Sequence, residues 1–183
     1  MKLSKLLSLF ALFASLTLGA QAQQKVGYVN TEAVIALLPV TKKANEELAE
    51  MQTKFLAQGQ GIQEEMKAKY DDLLAKNEAG QLSDNLRQLG QQEMGQLQQD
   101  LADHNQQSQD ALVKRRSVLF KPILKQVNET IQEVSKSQNY SLVFDVQEAG
   151  VVYGDVDINL TKAVLLALGV DQATIDAASG GQQ

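Results

Sequence analysis

From Val40 to Lys136 the chain is rich in Gln, Glu, Lys, Leu and Ala, with no proline between Pro39 and Pro122. These are good helix formers. Apolar residues recur at Ala44, Leu48, Met51 and Phe55, skip a slot at Gln58, and resume at Ile62, Met66, Tyr70 and Leu73. Steps of three and four make a narrow stripe, the seam of a coiled coil rather than the broad face of a globular helix. A second stripe runs through Leu86, Leu89, Leu97 and Leu101. It continues through Ala111 or Leu112 to Leu119, Ile123, Val127, Ile131 and Val134. Between them, Asn77 and Gly80 suit a helix stop and Ser83 suits the next N-cap, so the turn is expected within 77–83. At 1.5 Å per residue the two helices reach roughly 57 Å and roughly 81 Å, against about 30 Å for the diameter of a small domain. They cannot lie inside a globule and must project as a hairpin arm, residues 41–136.

Glycine and glutamine shape the expected character of that arm. Gly59, Gly61, Gly80, Gly90 and Gly95 all fall in its distal half. Each costs about 0.5–1 kcal/mol relative to Ala in a helix interior. With the many Gln residues of the distal return helix, this predicts a flexible, polar outer arm. Pro122 lacks an N–H and presses on the carbonyl of Val118, which predicts a kink near 118–122.

The chain ends read as a small β body of residues 23–40 and 137–170. Lys25 to Asn30 is a candidate strand with Val26 and Tyr28 on one face, and Thr31 is positioned to cap a short helix to Leu38. Ser141 to Val146 reads as a strand, 147–150 as a turn and Val151 to Tyr153 as a return strand. A last helix carries Leu160, Val164 and Leu168 and stops at Gly169, with a disordered tail over 171–183. The expected class is α+β. A body of 52 residues without Cys is too small for a self-sufficient core. Several copies pooling strands into one closed sheet would supply the core and remove the open edges.

The first 22 residues stand apart. Lys2 and Lys5, the uncharged run Leu6 to Leu18 and Ala20-Gln21-Ala22 match an export signal cleaved near Ala22. The apolar run is shorter than the roughly 20 residues a spanning helix needs. Loss of Lys2 and Lys5 takes the formal charge from −5 to −7. That acidity disfavours nucleic acid as a partner. The absence of Cys excludes thiolate metal sites and Cys nucleophiles. A single histidine, His104, reads as a solvent-edge or seam residue rather than a ligand or base, and no catalytic constellation, metal site or cofactor is expected. Lys114, Arg115 and Arg116 form the one basic cluster. They read as a solvated helix face or a weak contact to an anionic membrane surface.

The signal segment, Lys25-Val26-Gly27-Tyr28-Val29-Asn30, the helical hairpin and Val134 to Asp145, together with Pro122-Ile123, resemble the Skp/OmpH family of periplasmic chaperones. The resemblance implies a homotrimer with a central β-barrel, three helical tentacles around a cavity, and ATP-independent holding of unfolded outer-membrane β-barrel precursors in the periplasm. It implies no enzymatic activity. In that reading Met51, Phe55, Ile62, Met66, Tyr70 and Leu97 are client-contact candidates. Val26, Tyr28, Leu142, Phe144 and Val152 are trimer-contact candidates. The best-known members are basic, whereas residues 40–135 here carry twelve basic and fifteen acidic side chains. That departure moves the expected mode of holding from lipopolysaccharide-like electrostatics toward apolar and shape-based contact. The alternative is a coiled-coil spacer or tether of the envelope.

Overall fold

The structure is a computed structural model that describes residues 24–179. The expected signal segment and residues 180–183 lie outside the described residues.

The element order is β1 (Val26–Val29), α1 (Thr31–Leu37), α2 (Pro39–Glu78), α3 (Asp84–Ser137), β2 (Leu142–Asp145), a 3-10 turn (Val156–Ile158), α4 (Thr161–Ala167) and α5 (Gln172–Ser179). With 40 and 54 residues, α2 and α3 are roughly 60 Å and 81 Å long. They pair as an antiparallel hairpin. Pro39 opens α2 at the first helical position, where its missing N–H costs nothing. At the far end Gly80 takes φ +67°, its N–H donates to the Asn77 carbonyl, and the N–H of Gln81 donates to the Lys76 carbonyl. This is a Schellman stop. Ser83 Oγ then accepts from the N–H of Leu86 and starts α3. The turn falls where Gly80 and Ser83 place it. Helix α3 continues through Pro122 to Ser137.

The same device ends the other helices that feed the body. Asn139 takes φ +58°, a conformation Asn tolerates better than most residues, and Tyr140 N–H returns to the Ser135 carbonyl. Gly169 takes φ +82° after α4, and Val170 N–H returns to the Leu165 carbonyl. Val170 and Leu165 are both buried, the apolar contact that accompanies such a stop.

β1 and β2 pair in parallel, with Val26 opposite Leu142, Tyr28 opposite Phe144, and Val29 opposite Asp145. Parallel neighbours need a long crossover. Here the crossover is the whole arm. β1 is bordered on its other side by a single bridge from Tyr28 to Asn159, and the outer edge of β2 has no strand neighbour among the described residues. Val34, Val127 and Val164, with Leu160, are essentially inaccessible to solvent. They form one core with Val29, Leu38, Ala44, Ile123 and Ile175, joining the root of the arm to the body.

Three expectations change. The return strand at Val151 to Tyr153 does not form: those residues are irregular, and β2 pairs with β1 instead. Gly150, at φ +61°, closes a turn that leads the chain away from β2 rather than back along it. The cap of α1 is Asn30, whose side chain accepts from Ala33 N–H. Thr31 is instead the first helical residue, its N–H held by Asp145 Oδ2. Residues 172–179 are helical rather than a disordered tail. Asp171 accepts from the N–H and hydroxyl of Thr174, and Ile175 packs into the core. Val26 and Tyr28 share the face turned away from the chain's own core, whereas Val29 enters that core and Gly27 lies against Leu160 and Tyr140.

Asp145 joins three segments. Partial burial disfavours its charge, but hydrogen bonds from Thr31, Gln147 and Glu148 outweigh this and hold the carboxyl below its ordinary value of 3.8. A lowered folded pKa gives stability that is present above about pH 4 and lost as pH falls through the folded value. Asp145→Asn is expected to cost about 0.5–1 kcal/mol at pH 7 after solvent screening. The gap from wild type should close below about pH 4 in thermal melts recorded across pH. Leu160→Ala is expected to cost about 2–5 kcal/mol in urea unfolding, since it empties the centre of the shared core.

Candidate functional site

Two surfaces carry the residues of interest: the seam of the arm and the outer face of the sheet. In the seam Met51, Phe55, Ile62 and Met66 of α2, and Leu97 of α3, are half-buried. All five therefore serve inter-helical packing. Tyr70 is different. It is 54 % exposed, and the seam position beside it is taken by Lys69, which forms an ion pair with Glu93 of α3. The hydrogen bond to Glu93 holds the Lys69 ammonium above its ordinary value. Nearer the root, Arg115 crosses the seam to Glu47, and that contact raises the guanidinium in the same way. The basic cluster is thus divided. Arg115 turns into the seam, and Arg116 stacks over the Phe120 ring at 5.0 Å. Lys114, Arg115 and Arg116 do not present one cationic patch.

The midpoint of the seam is polar. His104 Nε2 lies 2.9 Å from the Phe55 carbonyl oxygen and 3.4 Å from Ser108 Oγ. A carbonyl oxygen only accepts, so Nε2 carries the proton and donates across the seam. The Phe55 and His104 rings meet edge to face with centroids 6.1 Å apart. The seam passes through Gly59, which is buried against the His104 ring, and not through Gln58, which is exposed. Leu89 is likewise outside the seam. Gly90 takes its place, and a Cβ built there would sit 2.6 Å from Leu73 Cδ2. Two of the five distal glycines therefore permit close packing, while Gly80 makes the turn. Of the four that lie within the helices, Gly61 and Gly95 meet nothing within 4 Å, which leaves less of the arm to be softened by glycine than composition suggests. The wrong residue is chosen at these layers because an apolar-periodicity count passes over Gly and Lys.

On the body, alternate residues of the parallel pair share a face. Val26, Leu142 and Phe144 are exposed, Phe144 by 41 %, and Tyr28 is half-buried. Tyr28 lies over Gly154 and its hydroxyl donates to the Gly154 carbonyl. Val152 is fully exposed, with Tyr153 and Val156 nearly so. The structure thus brings Val26, Tyr28, Leu142 and Phe144 together on one face of the sheet, while Val152 sits in the adjoining irregular segment. Among the described residues, no group of three or more His, Cys, Asp or Glu is placed to hold a metal ion. No helix there is long and apolar enough to cross a membrane.

A two-helix arm inserted between two parallel strands is a distinctive arrangement, and the family described as "Outer membrane protein (OmpH-like)" matches residues 25–168, which cover both. The chain belongs to the OmpH-like family. It is 28 % identical over 151 residues to the chaperone protein Skp of Vibrio cholerae serotype O1, covering 81 % of this chain and 86 % of that protein. The crystal structure of an OmpH-like protein from Caulobacter crescentus CB15 has the same fold, with a TM-score of 0.71 and 17 % identity. That match covers 81 % of this chain and 86 % of the other. Membership agrees with the resemblance seen in the end motifs and with an α+β fold carrying a long helical hairpin. The OmpH-like match stops at residue 168, so α5 lies beyond it.

The glycine assignments separate cleanly by mutation. Gly90→Ala is expected to destabilise the arm by about 1–2 kcal/mol, because the whole Leu73 side chain must move out of its notch. Gly61→Ala is expected to stabilise it by about 0.5–1 kcal/mol through helix propensity. Amide hydrogen exchange across residues 60–100 reads both.

Proposed function

We propose that the chain is a chaperone of exported proteins. It holds unfolded outer-membrane β-barrel precursors in the periplasm, without ATP and without covalent chemistry, in a cavity enclosed by the arms of a homotrimer. The observation that carries this reading is the uncovered sheet face beneath a projecting arm. Val26, Leu142 and Phe144 are exposed apolar residues on the two strands, and β2 has an unpaired outer edge. Such an edge with an apolar face invites pairing with another strand. A second and third copy would supply it and close the sheet. The relatives support the chaperone role: the Vibrio cholerae protein is named a chaperone.

The arm supports holding by many weak contacts. Its formal charge over residues 40–135 is −3, so attraction to acidic clients is not its main means. The seam residues Met51, Phe55, Ile62, Met66 and Leu97 pack between helices and would reach a client only where the hairpin opens. Tyr70, already exposed, is available without opening. Contacts of this kind gain strength from being presented together by several arms.

Light scattering on the protein lacking residues 1–22 is expected to give three times the chain mass. Phe144→Asp, which puts a charge on the face that copies would share, is expected to give monomers. The wild type at one trimer per client should suppress aggregation of an unfolded outer-membrane barrel protein on dilution from urea, and the monomeric variant should not. A wild-type monomer, or unchanged client aggregation, would remove the reading.

A further inference from the structure

Near the arm tip the two helices meet through Leu73 and Gly90 but do not fill the groove beside that contact. They leave a cleft of about 400 Å³ to which α2 contributes Tyr70, Leu73 and Leu74 and α3 contributes Met94 and Gly95. Two glycines of α3 behave differently along it. Gly90 is a notch filled by the Leu73 side chain, whereas Gly95 offers bare backbone with nothing within 4 Å of a built Cβ. Gly95 is exposed and borders the cleft with main chain alone. Tyr70 and Leu74, exposed by 54 % and 43 %, line the same cleft, so large apolar area is left open where it could be covered.

The charges around it are uneven. Lys69 and Lys76 are each held by a carboxylate, Glu93 and Asp72. Arg87 lines the cleft and forms no ion pair within 4 Å among the described residues. Gln91 and Gln98 bring side-chain amides to the same lining. An apolar trough with bare backbone, amides and one uncommitted cation suits a polypeptide segment. One apolar side chain fills the trough, the amides meet peptide groups, and Arg87 meets a carboxylate.

We infer that the cleft between α2 and α3 at the arm tip seats an unfolded polypeptide segment through one large apolar side chain at Gly95 and an adjacent carboxylate at Arg87. The inference rests on the chaperone reading, and it names what a single arm recognises. It also puts recognition on the outer surface of one hairpin, so it does not require the hairpin to open.

The test uses the full chain lacking residues 1–22 and three fluorescein-labelled, unstructured twelve-residue peptides that differ only in a central pair: Phe-Asp, Phe-Asn or Ser-Asp. Fluorescence anisotropy is expected to show Phe-Asp binding tightest, with Ser-Asp weaker by about tenfold or more. Gly95→Leu places a side chain in the cleft and restores ordinary helix propensity, so it should fold. It is expected to weaken Phe-Asp binding by about tenfold or more. Gly61→Leu, at an equally open glycine outside the cleft, should leave binding unchanged. Arg87→Gln is expected to abolish the preference for Phe-Asp over Phe-Asn, about threefold for a solvent-exposed ion pair. Binding insensitive to Gly95→Leu, equal loss with Gly61→Leu, a preference that survives Arg87→Gln, or no Phe-Asp binding by the wild type would each overturn the inference. Client aggregation measured on the same samples separates the two readings. Suppression by wild type without cleft-dependent peptide binding removes the tip site alone, and no suppression removes the chaperone reading.

Discussion

The core at the root of the arm is what the rest of the structure depends on. β1 and β2 are four residues each, parallel, and separated in sequence by the entire hairpin. Such a pair has little stability of its own, and closing so long a crossover is entropically expensive. What offsets that cost is the burial of Ile123 and Val127, on the α3 return, against Val34, Leu160 and Val164. The arm is stiff between its ends because it is helical, so once the root packs, the strands are delivered side by side. The body and the arm are therefore one cooperative unit at the root, even though the tip stands far from it.

Moving outward, the seam trades apolar contact for polar and geometric devices. Near the root it is aliphatic. At its middle it becomes a histidine donating to a main-chain carbonyl over a glycine, flanked by cross-seam ion pairs toward either end. These pairs are partly exposed and contribute little energy each, but they fix which residues face which. Toward the tip a cleft lies on the hairpin surface beside the Leu73–Gly90 contact and Gly95. A gradient from firm root to open tip follows from the residues at the seam. It owes less to glycine content than a residue count implies, since Gly59 and Gly90 tighten the packing where they occur.

Much of this was legible before any coordinates. The two stripes, the Gly80 stop and the Ser83 cap locate both long helices and their turn because helix periodicity and capping are local. Val127, Val134, Leu160 and Val164 were visible as core for the same reason. The body was less legible. Val151 to Tyr153 has the composition of a strand, yet strand formation needs a partner, and the partner of β2 lies more than a hundred residues away in β1. The helix at 172–179 was missed because its one anchor, Ile175, gains its meaning only from the core it enters. At the candidate site, Tyr70 and its neighbours shared one apolar period with Met66. Lys69 displaced Tyr70 from the seam because Glu93 stands opposite, which no count along a single helix reveals.

By itself the sequence determined that this chain carries a long helical hairpin on a small, cysteine-free body. Period, caps and chain length act locally, and no alternative geometry accommodates them. Tertiary structure decided the parallel pairing of β1 with β2 and the side of the sheet left uncovered. It also decided the faces to which Arg115 and Arg116 turn and the contact of Leu73 with Gly90. Each of these is a contact between residues far apart in the chain, and its outcome depends on which partner arrives, a matter of packing that no single segment encodes.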